Sequence, residues 1–160
     1  MNLENIPTYL KEQASWFNFR FETHKGSKTK VPYNPVTGYK AYVNKPETFT
    51  DFDTAVSALK SYYGLGIRVD GITIAIDLDH CIEDGKLTTQ AAEIVSHLKD
   101  TYIEKSPSGT GLRIILFVAN GYAYDKDTYY IKKGNIEVYV AGATNRFVTI
   151  TGDVYIENEI

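Results

Sequence analysis

Two aspartates close an apolar stretch near the middle of the chain, in the segment GITIAIDLDHC (residues 71–81). Alternate side chains of a strand share a face, so Asp77 and Asp79 point the same way, about 7 Å apart along the strand. Two like charges placed side by side repel unless a cation lies between them. Hard divalent ions such as Mg²⁺ or Mn²⁺ prefer such oxygen ligands. The pair predicts a metal site, although two solvated aspartates at a strand end would give the same pattern.

The residues that follow Asp77 exclude an EF-hand calcium loop. The fifth position, counted from Asp77, is Cys81, and the sixth is Ile82, where such a loop needs glycine. His80, beside the two aspartates, is either a nucleotide contact or a packed histidine at the strand end.

Hydroxyl residues and glycines cluster in the segment EKSPSGTGLRIILF, just before an apolar stretch. Ser106 and Ser108 supply hydroxyl donors, and Gly109 and Gly111 allow positive φ angles that turn backbone N–H groups toward an anion. The pattern predicts a cradle for a triphosphate, although Ser-Pro-Ser-Gly is also an ordinary turn sequence. It is not a Walker A loop, because no Gly-Lys-Ser/Thr follows at the required spacing.

A third acid and two arginines add charge near these motifs. In GNIEVYVAGATNRFVTITG, Glu137 alternates with apolar residues and therefore lies on the face opposite to them. Arg146 precedes an apolar strand and can pair with Glu137 or with phosphate. Arg113 is a cation among apolar neighbours, so it requires a partner, either a protein carboxylate or a ligand phosphate.

The elements that must position these residues alternate between strands and helices, which predicts an α+β fold. Apolar spacing and capping residues predict helices within residues 1–14, 50–63 and 88–102. Strands are predicted at residues 16–21, 66–69, 72–78, 111–118, 136–140 and 147–151. Asp70-Gly71 predicts a two-residue hairpin turn. Residues 23–48 predict a long loop with turns at Asn34-Pro35 and Thr37-Gly38.

Composition narrows the class of protein. The 160 residues fit one domain, and the net charge of −3 does not indicate a protein that grips long duplex DNA unaided. Nucleic-acid contacts are therefore expected to be local, helped by bound metal, or shared with another domain. The 13 Tyr and 7 Phe suit aromatic-rich sheets and could supply base stacking. A single cysteine, Cys81, no signal peptide and no membrane-spanning apolar run predict a cytoplasmic protein.

The order of the motifs resembles that of the archaeo-eukaryotic primase superfamily. An apolar strand with Asp-x-Asp is followed by Ser-x-Ser-Gly-x-Gly leading into a strand, and then by a strand glutamate and RFVTITG. The chain looks closest to the bifunctional primase-polymerase domains of phages and plasmids that precede a helicase. The segments KVPYNPVTGYKA and GLGIRVDG are also similar to that group. The resemblance covers about residues 16–152.

The resemblance implies an RNA-recognition-like catalytic sheet packed with an N-terminal α/β unit, with helices on the sheet face. It implies that Asp77, Asp79 and Glu137 hold two Mg²⁺ or Mn²⁺ ions for template-directed nucleotidyl transfer. The substrates would be nucleoside triphosphates, a primer and a single-stranded DNA template. The implied nucleotide contacts are Ser106, Ser108, Gly109, Arg113, Arg146 and His80. Residues 1–160 would be a single catalytic domain, the N-terminal part of a longer primase-helicase in a bacterial host cell.

Two alternatives to this function remain open, and a departure from the family pattern bears on the first of them. Arg113 stands where the superfamily often has histidine; arginine binds phosphate bidentately but stays protonated, so it cannot act as a general acid near neutral pH. A non-catalytic primase-like module that binds nucleotide or template is therefore one alternative. The other is a haloacid-dehalogenase-type phosphatase, which also places Asp-x-Asp after an apolar strand, and TGDVYIE is similar to its later acidic motif. That fold is parallel and doubly wound, and the chain after Asp79 is short for it.

Overall fold

In the part of the chain that the structure describes, two large antiparallel sheets, one two-stranded sheet and three short α-helices make up the fold, which is known from a computed structural model. The structure describes residues 1–118, 125, 127 and 131–155. The helices are α1 (Thr8–Gln13), α2 (Phe52–Ser57) and α3 (Thr89–Leu98), with 3-10 helices at Leu3–Asn5, Pro46–Thr48 and Leu59–Ser61. The strands are β1 (Ser15–His24), β2 (Ser27–Tyr33), β3 (Gly64–Arg68), β4 (Thr73–Leu78), β5 (Ile82–Glu83), β6 (Lys86–Leu87), β7 (Tyr102–Lys105), β8 (Leu112–Phe117), β9 (Lys132–Lys133), β10 (Ile136–Val140) and β11 (Phe147–Ile150).

The strand order confirms a mixed α and β fold and excludes the phosphatase alternative. The first sheet has the order β11-β3-β1-β2, the second has β7-β8-β4-β10-β9, and β5 and β6 form a small hairpin. Every strand pair in the part of the chain described is antiparallel. A doubly wound phosphatase needs parallel strands, so that hypothesis is wrong. The last two residues of its TGDVYIE motif lie outside the described residues.

The hairpin of β1 and β2 corrects the prediction of a loop over residues 23–48. His24 pairs with Ser27 across Lys25-Gly26, and both turn residues have positive φ, as tight hairpins require. β2 carries lysine, serine and threonine because it is an edge strand, whose outer residues need not be apolar. The predicted turn at Asn34-Pro35 is confirmed, since the Asn34 side chain accepts from the N–H of Val36 at 2.8 Å.

The turn at Asp70-Gly71 is present, but it joins two sheets and does not form the predicted hairpin. β3 belongs to the first sheet and β4 to the second. The Thr73 N–H donates to the Asp70 carbonyl at 2.9 Å, which closes the turn. The Asp70 carboxylate is held on the first-sheet side by Arg68 at 2.6 Å and by Ser15 at 2.9 Å. The chain therefore crosses between sheets immediately before the strand that carries Asp77.

The helices are shorter than their sequence patterns predicted. Asp51 caps α2 by accepting from the Thr54 N–H at 2.8 Å, but the helix ends at Ser57, so that Tyr63, which the predicted helix included, lies beyond it and is 68% exposed. Thr88 caps α3, which ends at Leu98, so that Tyr102 begins strand β7. Among the described residues, none of the helices has the length and apolar character needed to cross a membrane.

The second sheet is covered on both faces, and its charged residues Asp77 and Arg113 lie on the face opposite to α3. One face packs against the first sheet and α1, with a shared core of Leu10, Trp16, Leu65, Ile67, Ala75, Tyr102, Ile115, Val148 and Ile150. The other face is covered by α3 through Leu78, Ala91, Val95, Ile103, Leu112 and Ile114. Ala75 and Ile115 thus face the first sheet. Asp77 and Arg113 lie two residues away from them on the same strands, so their side chains point to the same face.

Candidate active site

A row of charged side chains crosses the second sheet on the face toward the first sheet. Direct cross-strand pairs link Glu104 to Arg113, Arg113 to Asp77, Asp77 to Glu137, and Glu137 to Lys132. Residues directly opposite in antiparallel strands present their side chains on the same face. The structure therefore brings the predicted residues Asp77, Glu137 and Arg113 together, and adds a buried glutamate at one end of the row and a lysine at the other.

Asp77 is the central acid of this row and is mostly buried, with 17% of its side chain exposed. Its Oδ1 accepts from the Arg113 Nη2 at 3.0 Å. Burial raises the pKa of the Asp77 carboxyl above its usual value; the Arg113 charge opposes that effect, and the Asp79 charge adds to it. The partner predicted for Arg113 from its apolar surroundings is thus a protein carboxylate.

Arg113 also ties the second sheet to the first. Its Nη1 donates to the Thr149 Oγ1 at 3.0 Å and to the Thr149 carbonyl oxygen. Within the part of the chain described, its Nε has no hydrogen-bond partner. With 6% of its side chain exposed, Arg113 is almost entirely buried. It is a fixed cation in the wall of the site, held from two directions.

Glu137 is held by neighbours on its own side of the sheet. Its Oε2 accepts from the Tyr139 hydroxyl at 2.6 Å, and its Oε1 pairs with the Lys132 ammonium. The Lys132 and Tyr139 hydrogen bonds hold the pKa of the Glu137 carboxyl below its usual value. Arg146, which the sequence suggested as a partner of Glu137, instead lies over the Tyr139 ring, 5.9 Å from its centroid.

Asp79 and His80 stand just past the end of β4, where both are exposed. The Asp79 N–H donates to the Asn135 carbonyl at 2.8 Å, which anchors this end beside β10. His80 adopts a φ of +48°, so the chain turns sharply after the second aspartate. Because His80 is exposed, its interpretation as a packed strand-end histidine is wrong.

The Ser106–Gly111 loop lies directly against the Asp-x-Asp segment. A Cβ added to Gly111 would meet the Leu78 carbonyl oxygen at 2.6 Å and the Asp79 Cα at 3.5 Å. Only a residue without a side chain permits this approach. Gly111 thus serves for close contact and not, as the sequence suggested, for positive φ, whereas Gly109 does have a φ of +75°.

Hydroxyl groups of this loop form a short chain on its exposed surface. Ser106 Oγ lies 3.0 Å from Ser108 Oγ, which lies 3.0 Å from Thr110 Oγ1. The Ser106 N–H donates to the Gly111 carbonyl at 2.9 Å and closes the base of the loop. The loop that the sequence predicted as a phosphate cradle is therefore beside the aspartates, with its hydroxyls accessible to a ligand.

Sequence reasoning missed three charged residues of the site: Lys132, described above, Glu104 and Lys30. Glu104 is fully buried and accepts from the Tyr102 hydroxyl at 2.8 Å and from the N–H groups of Thr151 and Gly152, each at 2.9 Å. Burial raises the pKa of Glu104. Lys30 arrives from β2, with its Nζ 3.4 Å from Thr149 Oγ1.

Charge distribution along the chain was the available signal for Lys30. Residues 20–45 contain six cationic side chains and one acid, a net charge of +5, whereas the whole chain carries −3. Burial, followed by the Arg113 charge, lowers the pKa of Lys30, while Asp77 and Asp79 act in the opposite direction. Lys30 therefore shares the electrostatic environment of the candidate site although it belongs to the other sheet.

The donor chemistry of the three acids suits a hard divalent cation, but their arrangement is not that of a closed metal centre. Within the described residues, no group of three or more His, Cys, Asp or Glu side chains is placed to hold a metal ion. Arg113 and Lys132 occupy one oxygen each of Asp77 and Glu137. Mg²⁺ commonly uses only one or two carboxylates and takes its other ligands from water and phosphates, so Asp77 with the exposed Asp79 remains a chemically adequate pair.

The chain is similar to a DNA primase-polymerase from Nitratiruptor phage NrS-1. The two sequences are 32% identical over 152 residues, which cover 91% of this chain and 20% of the phage protein. The chain thus spans about a fifth of the length of that relative. No protein-family model matches the chain. The similarity supports a relationship to phage primase-polymerases.

Proposed function

We propose that this chain carries out metal-dependent, template-directed nucleotidyl transfer, as the catalytic domain of a DNA primase-polymerase. The observation that carries the proposal is the cross-strand row in which Asp77 lies between Arg113 and Glu137, with Asp79 against the Ser106–Gly111 loop. Carboxylates for cations, a fixed arginine and a hydroxyl-rich loop are together what a nucleoside triphosphate needs for binding. The phage relative, itself called a DNA primase-polymerase, supports the same function.

Asp77 and Asp79 would hold Mg²⁺ or Mn²⁺, with Glu137 as a third ligand once Lys132 is displaced. When bound, such ions activate the attacking 3′-hydroxyl and neutralise charge on the triphosphate. The partly buried position of Asp77 limits its contact with water and strengthens its interaction with a cation. Asp79, exposed at the end of β4, is the more accessible ligand.

Arg113 and the neighbouring loop would position the triphosphate. Arg113 is held by Asp77 and Thr149, so its charge is fixed before substrate arrives. A preorganised cation stabilises developing negative charge without first having to reorganise. The hydroxyls of Ser106 and Ser108 would bind phosphate oxygens, and Gly109, whose N–H closes the turn by donating to the Ser106 carbonyl at 2.8 Å, would hold the loop in shape for them. Arg146 and His80 lie at the exposed rim and would contact the nucleotide there.

One observation favours a second candidate, a non-catalytic module that binds nucleotide or template. Asp77 and Glu137 each engage a cation of the protein itself, which is an arrangement that is stable without metal. In such a module the row would be a structural ion-pair network, and the loop alone would bind phosphate.

Primer extension by the 160-residue chain distinguishes the two candidates. A labelled primer on a DNA template is incubated with nucleoside triphosphates and Mg²⁺ or Mn²⁺. Extension by the unmodified chain is expected, with a loss of at least about a hundredfold in Asp77→Asn and Asp79→Asn, because each removes a ligand charge. Asp100→Asn, at an exposed position after α3, is the matched control and is expected to retain activity. Nucleotide binding without any extension would favour the non-catalytic module.

A further inference from the structure

A strip of aromatic and lysine side chains runs along one face of the β1–β2 hairpin toward the candidate site. Its members are Phe19, Phe21, Lys28, Lys30 and Tyr63, which are named here the lysine–aromatic strip. The strand register places Phe19, Phe21, Lys28 and Lys30 on the same face of the hairpin. Phe21 pairs with Lys30, and the residues two positions before and after Phe21 pair with Pro32 and Lys28, respectively. Tyr63 joins through its backbone N–H, which donates to the Phe19 carbonyl at 2.9 Å.

The members of the strip contact each other in sequence. The Tyr63 ring meets the Phe21 ring edge-on with centroids 4.8 Å apart, and the Phe21 and Phe19 centroids are 5.7 Å apart. The Lys28 Nζ lies 4.3 Å from the Phe21 centroid, and the Lys30 Nζ lies 6.0 Å from that of Phe19. Cations and π faces therefore alternate along a connected surface.

The inner end of the strip reaches the candidate site. Lys30 lies 3.4 Å from Thr149 Oγ1, and the same oxygen accepts from Arg113, the partner of Asp77. A groove of about 410 Å³ is lined by Phe19 and Tyr63 of the strip, by Thr149, and by Pro107 of the Ser106–Gly111 loop. The strip therefore shares this groove with the Ser106–Gly111 loop, and it adjoins Asp77 through Thr149 and Arg113.

The strip has the chemistry of a surface for unpaired nucleic acid. Bases of a single strand expose their π faces and stack on aromatic side chains, whereas a duplex hides them. Tyr63 is 68% exposed, so its ring is available for stacking. The segment that supplies both lysines carries a net charge of +5 in a chain of net −3, which directs a polyanion to this hairpin.

We propose that the lysine–aromatic strip binds the unpaired template strand, with bases stacked on Tyr63 and Phe21 and phosphates at Lys28 and Lys30. The identification of the strand as template rests on the proposed function; the binding of single-stranded DNA itself does not. The strand would enter at the hairpin and pass Lys30 to reach Asp77.

Fluorescence anisotropy with a labelled oligothymidylate of about 16 nucleotides tests the strip without any catalysis. Measurements are made in EDTA and without nucleotide, over a range of salt concentrations. Tyr63→Ala is expected to weaken binding at least about fivefold, because it removes one stacking platform. Lys28→Ala is expected to reduce the slope of log affinity against log salt by about 0.7, the value for one phosphate contact on a single strand.

Matched controls are exposed residues of the same types outside the strip. Tyr39→Ala removes a ring that is 78% exposed, and Lys86→Ala removes a lysine of the β5–β6 hairpin. Both are expected to bind like the unmodified chain. No binding by the unmodified chain, unchanged binding by Tyr63→Ala and Lys28→Ala, or an equal loss in the two controls would each overturn the proposal. The proposal is also overturned if a duplex of equal length binds as tightly as the single strand.

The two proposals fail separately. Single-stranded binding that depends on Tyr63 and Lys28, in a chain that extends no primer, leaves the strip in place and removes the polymerase function. Primer extension that depends on Asp77 but not on Tyr63 would keep the polymerase function and remove the strip as the template-binding surface.

Discussion

The guanidinium of Arg113 lies 3.0 Å from the Asp77 carboxylate on one side and 3.0 Å from the Thr149 hydroxyl on the other. Asp77 belongs to the second sheet and Thr149 to the first. One side chain therefore holds both the central acid of the candidate site and the junction between the sheets. Changes at Arg113 are expected to affect stability as well as activity.

Arg113→Met is expected to lower the free energy of unfolding by about 3 kcal/mol, because it leaves a largely buried carboxylate without its cation. Denaturation by guanidinium chloride measures the change. Arg146→Met is the control, since Arg146 is exposed and lies over a tyrosine ring, and a change below about 1 kcal/mol is expected there. Adding Asp77→Asn to Arg113→Met should recover part of the loss. Stability unaffected by Arg113→Met would contradict the role of this residue as a junction.

Glu104 predicts a pH dependence of stability. Its pKa is raised by burial, so between its usual value and the raised one the folded chain holds a proton that the unfolded chain has released. The stability of the unmodified chain, measured relative to Glu104→Gln, should therefore fall as pH rises through that interval and level off above it. Below the usual glutamate pKa the difference should be constant, because both side chains are then neutral. A difference that grows in favour of glutamate with rising pH would show that the hydrogen bonds from Thr151 and Gly152 outweigh burial.

Gly111 predicts a steric effect on the metal site. In Gly111→Ala the new Cβ would meet the Leu78 carbonyl, and overpacking of this kind costs about 1–3 kcal/mol. Because Asp79 follows Leu78, the affinity for Mn²⁺, measured by electron paramagnetic resonance, is expected to fall. Gly109→Ala is the contrast: its backbone is strained by the positive φ, but no atom stands within 4 Å of the added Cβ. Equal Mn²⁺ affinities in the two variants would argue against a coupling between the loop and Asp79.

Lys132 is expected to compete with a cation for Glu137. Lys132→Ala removes the ion pair at Glu137 Oε1 and should raise the affinity for Mn²⁺, as long as Glu137 is a ligand. Lys133→Ala, the next residue of the same strand, is the control because cross-strand register assigns Lys132, not Lys133, to Glu137. Titration calorimetry of the two variants gives the comparison. A decrease in affinity in Lys132→Ala would assign the lysine a supporting role and remove Glu137 from the metal site.

Local patterns predicted the elements that hold the acids. The alternation of apolar residues predicted the limits of β10 as they are observed, and it predicted the face on which Glu137 lies. The Ser-Pro-Ser-Gly sequence likewise marked the turn before β8, in which the Gly109 N–H donates to the Ser106 carbonyl at 2.8 Å. In each case the information lies within a few consecutive residues, because side-chain alternation and turn formation are local properties.

Partner choice between strands was not predictable in the same way. The Asp70-Gly71 turn has a hairpin sequence, yet its flanking strands pair with β1, β11, β8 and β10. Lys30 was assigned to a loop because β2 carries few apolar residues. The arrival of Lys30 and Thr149 beside Arg113 depends on which sheets pack together, and single-sequence periodicity does not encode that choice.

The first sheet takes strands from distant parts of the chain: β3 pairs with β11, so that Arg68 lies opposite Phe147. A chain emerging from the ribosome would therefore carry β1, β2 and β3 with the outer edge of β3 unpaired until β11 had been synthesised. Contacts so far apart in sequence form late and slow the folding of a domain. During translation Thr149, the acceptor for Arg113, is synthesised well after Asp77, Asp79 and Arg113. Nascent chains would therefore contain both aspartates long before Arg113 could be held in place beside Asp77.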